Sequence, residues 1–188
     1  MVELKIKLDK GATMPFQANP TDSGYDLTAT SVEWDDENAR LIYHTGVYLH
    51  IPEGYEVEIL PRSSTSKQEL FMPHSKGLID ETYRRELLVV YKVVGINKND
   101  IEWAKLDETG KLTLLMDYAK YPYSPLTYRA GDVVAQMKMQ KKDPYVVVET
   151  DNVEDTGRGG FGSSDGKYDM GYIVEPMKEY IKKGGALG

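Results

Sequence analysis

Apolar residues recur in this chain at every second position, in short runs, and no long stretch keeps them at the 3.6-residue spacing of a helix face. Val2, Leu4, Ile6 and Leu8 alternate with polar residues; Val47, Leu49 and Ile51 repeat the pattern, as do Tyr55, Val57 and Ile59. Further apolar segments follow at Leu87–Val94, Leu112–Met116, Val133–Met139 and Val146–Val148, separated by turn residues. Successive side chains of a strand point to opposite faces, so a period of two marks a half-buried strand. Many short strands between turns predict an all-β domain, a distorted jelly-roll barrel or sandwich with at most short helical turns. The 188 residues suffice for one such domain and a sizeable core.

The connections carry their own signals. Pro52-Glu53-Gly54 supplies the turn of a hairpin between two of the alternating segments. The acidic stretch from Val32 to Arg40, with Glu33, Asp35, Asp36 and Glu37, reads as a solvated loop. Leu60–Lys67 predicts a single helical turn capped by a hydroxyl. Residues 95–129 differ from their surroundings: Asp107–Lys111 turns a hairpin, and Tyr118, Tyr121, Tyr123 and Tyr128 crowd around Pro122 and Pro125. They read as an inserted hairpin and loop in a single β domain at 1–164, packed down by Trp103 and the tyrosines or offering them to a protein partner. A tail follows at 165–188, with a short helix over Met177–Lys183 that Gly184-Gly185 stops.

Composition removes several functions. A net charge of −7 argues against a broad nucleic-acid or anionic-membrane surface, but leaves room for a local basic cluster that meets a small anion. With no cysteine there are no disulfides, thiolate metal sites or cysteine nucleophiles. No apolar run approaches ~18 residues, and Met1–Lys5 does not open a signal peptide, so a soluble cytoplasmic protein is expected. Gly157–Gly162 formally satisfies G-x-G-x-x-G, but no βαβ pattern surrounds it, and Ser163 stands where a Walker lysine would be. Ser64–Lys67 satisfies S-x-x-K without the accompanying S-D-N and K-T-G elements of a penicillin-recognising hydrolase. His44, His50 and His74 lack metal-ligand spacing.

The stretch Gly77-Leu78-Ile79-Asp80-Glu81-Thr82-Tyr83-Arg84-Arg85-Glu86 holds one carboxylate, Asp80, at the end of a strand or hairpin, next to a glycine that lets backbone approach a ligand. Read alone it is equally a charged hairpin turn. Four glycines around Phe161, in Thr156–Ser164, predict a loop that orders around something rather than a core element.

Taken together, five blocks stand in order: Ser23–Leu27, Pro61–Lys67, Gly77–Glu86, Gly131–Met137 and Gly157–Ser164. In this the chain resembles the homotrimeric dUTP diphosphatase (dUTPase) family, over about residues 2–94 and 129–164. Thr45–Val47 and Ile51–Tyr55 add to the likeness. The resemblance implies hydrolysis of dUTP to dUMP and pyrophosphate with Mg²⁺, in sites shared by three chains that exchange C-terminal arms. It makes Asp80 the base that prepares a water to attack the α-phosphorus, and Tyr83 the ring under the deoxyribose. The backbone of Gly77, Leu78 and Ile79 reads the uracil edge. Arg62, Ser63, Ser64 and Gln136 face the phosphates, and Asp26 supports Mg²⁺ through water. Phe161 closes over the base, with Gly162 and Ser163 beside it. The chain departs from the family pattern at Ser64 and Arg85, where glycine is usual, at Val133 and Thr156, where arginine is usual, and at Asp165 in place of the closing glycine; Arg158, two residues on, is the candidate to replace the arginine missing at 156. Two rival readings stand beside this one: a dCTP deaminase, and a dual-role binding protein that uses residues 95–129.

Overall fold

The structure is a computed structural model and describes residues 2–154. The chain divides into two units, Met1–Pro144 and Tyr145–Gly188, and every strand below belongs to the first. In chain order these are β1 (Lys5–Leu8), β2 (Tyr25–Thr28), β3 (Ser31–Asp35), β4 (Arg40–His50), β5 (Tyr55–Leu60), β6 (Leu70–Phe71), β7 (Gly77–Ile79), β8 (Glu86–Val93), β9 (Ile101–Leu106), β10 (Leu112–Met116) and β11 (Val133–Lys141). The only helical pieces among the described residues are two 3₁₀ turns, Ser63–Lys67 and Lys98–Asp100. The expected all-β architecture is present, and no described helix is long and apolar enough to cross a membrane.

β4 is the spine of the first sheet. β8 runs along one flank, from Leu41↔Tyr91 to Tyr48↔Glu86, while β1 and β3 stand end to end along the other. β6 extends the sheet beyond β8. The second sheet runs β2-β11-β5-β7, antiparallel throughout. Leu41, Tyr43, Val47 and Leu49 of β4 and Leu87, Val89, Tyr91 and Val93 of β8 fall into one buried cluster with Leu27, Val57, Ile59, Val134 and Met137 of the second sheet. The alternation in the sequence is therefore the inner face of a two-sheet sandwich.

The connections differ from expectation. β4 and β5 do not pair across Pro52-Glu53-Gly54; β5 pairs with β11 and β7, so this turn carries the chain from one sheet to the other. The charged stretch after Ile79 is likewise a crossing and no hairpin, because β7 belongs to β5 and β8 to β4 and β6. A sandwich changes sheets at its corners, and a tight turn between alternating segments does not by itself distinguish that from a hairpin. The acidic segment forms strand β3, not a loop, because Val32 and Trp34 alternate with its charges and pack against the core. Val146–Val148, expected as a strand, has no partner strand among the described residues and is about 75–87% exposed.

Residues 95–129 do contain a hairpin, β9–β10, with the Asp107–Lys111 turn closed by hydrogen bonds to the Asp107 carboxylate. Its inner face is core: Leu112, Leu114 and Met116 are buried with the sandwich residues, and so is Tyr128. Trp103, Tyr118 and Tyr121 stay exposed.

The β4–β8 ladder shifts register between His44 and Tyr48. Gly46 takes a φ of +65°, and a Cβ there would stand 2.7 Å from that of Ala12, so the bulge requires glycine. The Gly46 N–H donates to Glu86 Oε1 at 2.8 Å and the Thr45 hydroxyl to the Leu87 carbonyl at 2.7 Å. His44 lies between two carboxylates, Nδ1 3.1 Å from Glu86 Oε2 and Nε2 3.3 Å from Glu33 Oε2. Burial opposes the charged ring, but the hydrogen bonds to Glu86 and Glu33 outweigh it, and the pKa stands above the ordinary imidazole value. A folded pKa above the unfolded one stabilises fully below about pH 6.5, and the gain is lost as pH rises through the folded value. Thermal melts from about pH 5.5 to about pH 8.5 should therefore show the midpoint falling across that window, and His44→Gln should lose this component of the slope. An unchanged slope in the variant would assign the pH dependence elsewhere.

Candidate active site

Three of the five sequence blocks meet at one end of β5. β11 lies between β2 and β5, and its Gln136 stands opposite Asp26 on one side and Leu60 on the other. Side chains directly opposite in a ladder share a face, so this register sets Asp26 and Gln136 side by side, next to the point where the chain leaves β5 for Arg62. Arg62 closes on Asp26 with two parallel hydrogen bonds, Nε to Oδ1 and Nη2 to Oδ2, both 3.1 Å. This fork-to-carboxylate pairing fixes the guanidinium plane. Its Nη1 lies 3.4 Å from Ser64 Oγ, and Gln136 Nε2 donates to the Pro61 carbonyl at 3.4 Å. Gly24 leaves the space that Gln136 fills; a Cβ there would be 2.9 Å from Gln136 Oε1.

Ser63–Lys67 forms the expected single turn, but no hydroxyl caps it. Arg62 occupies the cap position without a side-chain bond, and the Ser66 hydroxyl donates backwards to the Ser63 carbonyl at 2.7 Å. The turn rests instead on Tyr128, whose hydroxyl oxygen is 3.0 Å from both Ser64 Oγ and Thr65 Oγ1. In front of it an open hollow of about 480 Å³ is lined by Arg62, Ser63, Thr65, Leu70, Phe71 and Met72. A guanidinium and several hydroxyls around an open hollow suit an anionic ligand.

The third block is built differently. Gly77–Ile79 is the edge strand β7, paired to β5 on one side only, so one row of its backbone donors and acceptors has no strand partner. The following turn is closed by Tyr83 N–H to the Asp80 carbonyl, 3.0 Å. Glu81 anchors it, accepting from Lys142 Nζ and from the Gly54 N–H at 3.0 Å; the Lys142 bond first and the Gly54 bond second hold its carboxyl below the usual range. Asp80 itself is exposed, and its carboxylate takes no hydrogen bond from the described residues. Tyr83 is half-buried against the core, its hydroxyl donating to the Glu86 carbonyl at 2.9 Å.

One chain does not bring these two halves together. β7 runs antiparallel to β5, with Gly77 opposite Ile59 and Ile79 opposite Val57, so Asp80 leaves at the far end of β5 from Arg62. Some six residues of strand, about 20 Å, separate them. Arg158, Phe161, Gly162 and Ser163 lie outside the described residues, as does the helix expected at 177–183.

The family model described as dUTPase matches residues 10–115, more than half of the chain. The chain belongs to the dUTPase family. The deoxyuridine 5′-triphosphate nucleotidohydrolase of Rhodococcus erythropolis is 32% identical over 163 residues, covering 85% of this chain and 84% of the relative. That of Hydrogenobaculum is 32% identical over 162 residues, 84% of this chain and 94% of the relative. Among solved structures, a variant of the phage 80alpha dUTPase is similar at 26% identity and a TM-score of 0.62, over 86% of this chain and 98% of that one. A second variant of that staphylococcal phage dUTPase, solved with dUpNHpp, has 26% identity and a TM-score of 0.60.

Within this dUTPase, sequence reasoning missed residues that act through others. Glu81 pins the turn that presents Asp80, yet reads as one more exposed acid; only its place beside Asp80 hinted at a task. Tyr128 belonged, by pattern, to the tyrosine-rich stretch outside the blocks, and nothing in its spacing ties it to Ser64 and Thr65, more than sixty residues earlier.

Proposed function

We propose that this chain cleaves dUTP to dUMP and pyrophosphate in a site assembled from several copies of itself. The observation that carries the reading is the split of the constellation: Asp26, Arg62, Ser64 and Gln136 are assembled at one end of β5, and Asp80 is presented at the other. The two halves stand at opposite ends of one sheet, too far apart to meet within a chain, so a symmetric oligomer unites them across an interface. The apolar Tyr145–Val148 segment, about 75–87% exposed in a single chain, is surface that another copy would cover. Three copies exchanging their C-terminal arms give three equivalent sites, and the arm brings Phe161, Gly162, Ser163 and Arg158.

In this site the free carboxylate of Asp80 accepts a hydrogen from a water, which attacks the α-phosphorus. The proton passes to Asp80, the bond to the bridging oxygen breaks, and pyrophosphate leaves. A carboxylate suits this because it only accepts hydrogen bonds when ionised. Arg62, Ser63, Ser64 and Gln136 neutralise charge on the phosphates as it redistributes. The open edge of Gly77–Ile79 offers uracil a fixed row of donors and acceptors that cytosine would mismatch. Tyr83, tethered through its hydroxyl, keeps its ring where a 2′-hydroxyl would have to fit.

The residues fit a Mg²⁺ ion that is held mainly by the substrate. No group of three or more His, Cys, Asp or Glu among the described residues forms a cage. Asp26 spends one lone-pair direction of each oxygen on Arg62 and keeps the others for water. Mg²⁺ dehydrates reluctantly and is commonly bound through phosphates and waters, so Asp26 would support it from behind a water, and the ion would offset phosphate charge.

Pyrophosphate release from dUTP, set beside dCTP, dTTP and UTP with and without Mg²⁺, tests the reading, with sedimentation for the trimer. Only dUTP should be cleaved at a substantial rate. Ammonia released from dCTP would move the assignment to a deaminase, and an active monomer would remove the shared site.

A further inference from the structure

We propose that Tyr128 is a positioning residue for the triphosphate: its hydroxyl takes a hydrogen from Thr65 and gives its own to Ser64, which frees the Ser64 hydrogen for a phosphate oxygen. The inference rests on the reading of Arg62, Ser63 and Ser64 as the phosphate seat.

Tyr128 is only 4% exposed, and its ring is fixed from behind. Tyr43 meets it edge-on at 6.3 Å between centroids and Tyr91 at 5.9 Å with a tilt of 56°, while Tyr43 and Tyr91 pack on each other at 5.9 Å. The Tyr43 hydroxyl donates to the Tyr128 carbonyl at 3.1 Å, and the Tyr91 hydroxyl to the Val134 carbonyl at 2.9 Å. Desolvation drives the pKa of Tyr43 upward and that of Tyr91 to about 12, so both remain hydroxyl donors. A ring held in this way has no room to swing, and its oxygen becomes a fixed point under the Ser63–Lys67 turn.

Counting hydrogens gives the direction of the chain. The Tyr128 oxygen carries one hydrogen and has two hydroxyl neighbours, both at 3.0 Å, so it donates to one and accepts from the other. Ser64 Oγ also lies 3.4 Å from Arg62 Nη1, which can only donate. If Thr65 donates to Tyr128 and Tyr128 to Ser64, both lone pairs of Ser64 are filled and its hydrogen is left free to be donated to a ligand. The opposite direction would bury that hydrogen in the protein and leave an anion facing lone pairs. An arriving phosphate selects the first arrangement.

Calorimetric titration of the non-hydrolysable dUpNHpp and of dUMP into the full chain tests this. Tyr128→Phe keeps the ring and removes the hydroxyl; it should weaken dUpNHpp about five- to tenfold, the value of one hydrogen bond, and leave dUMP within about twofold. Thr65→Val should act in the same direction, and Tyr128→Phe should cost nothing further on a Ser64→Ala background. Wild-type affinity for dUpNHpp in Tyr128→Phe, an equal loss for dUMP, or full multiplication with Ser64→Ala would overturn the proposal. If Tyr128→Phe does not fold, undiminished affinity in Thr65→Val overturns it. Arg62→Ala separates the two levels. If that variant also binds dUpNHpp as wild type does, the phosphate seat itself is misassigned; if it binds weakly while Tyr128→Phe binds normally, only the role of Tyr128 fails.

Discussion

Asp80→Asn should lower kcat for dUTP by about 10²–10⁴-fold, the range of a positioned general base, with little change in dUTP binding. The amide keeps the shape of the side chain but cannot take a proton from water at neutral pH. Binding should survive because Asp80 does not build the loop it sits on: Glu81, held by Lys142 and the Gly54 N–H, does that, and the Tyr83 N–H bonds the Asp80 backbone rather than its side chain. Steady-state turnover measured beside the affinity for dUpNHpp makes the separation visible. Near-normal turnover would take Asp80 out of the chemistry, and a parallel loss of both would make it a scaffold residue.

The second large effect concerns residues 95–129. Leu114 lies at the centre of β10, fully buried among residues of the sandwich. Leu114→Ala should cost about 2–5 kcal/mol, the transfer of the lost methyl groups plus the cavity they leave. Total stabilities run to only about 5–15 kcal/mol, so the urea midpoint should fall sharply while the m-value holds. A loss below about 0.5 kcal/mol, the range of surface changes, would make the hairpin an appendage and favour a partner-binding role for the segment. The hairpin's outer side, with Trp103, Tyr118 and Tyr121 exposed, remains the part available to such a partner.

The fold class was legible because period-two alternation is a direct imprint of a sheet with one wet face, carried by β5 and the end of β4, while β8 and β10 read as short apolar runs bounded by turns. The connections were not. Pro52-Glu53-Gly54 has the chemistry of a hairpin turn, but which strand lies beside β5 is decided by β11, some eighty residues later, and no local pattern encodes that. β3 was hidden because four acids outweigh two inward-facing residues, Val32 and Trp34, in any reading by charge. At the site, Arg62, Asp26 and Gln136 were found through a chain-wide resemblance, and the structure gives the physical ground for grouping them: a shared register across β2, β11 and β5. The same register shows why Asp80 is not with them in one chain.

The place of β11 also bears on how the polypeptide reaches this state. It is the last strand among the described residues, yet it occupies an interior position in its sheet, between β5, made about eighty residues earlier, and β2, made about 110 residues earlier. Until residue 141 has left the ribosome, β2 has no strand beside it in this sheet and β5 is paired on one side only, by β7, so both present open backbone. Nascent chains of this protein therefore carry an extended window of vulnerability to mispairing, which closes only when the final stretch of the domain slides into a gap already waiting for it.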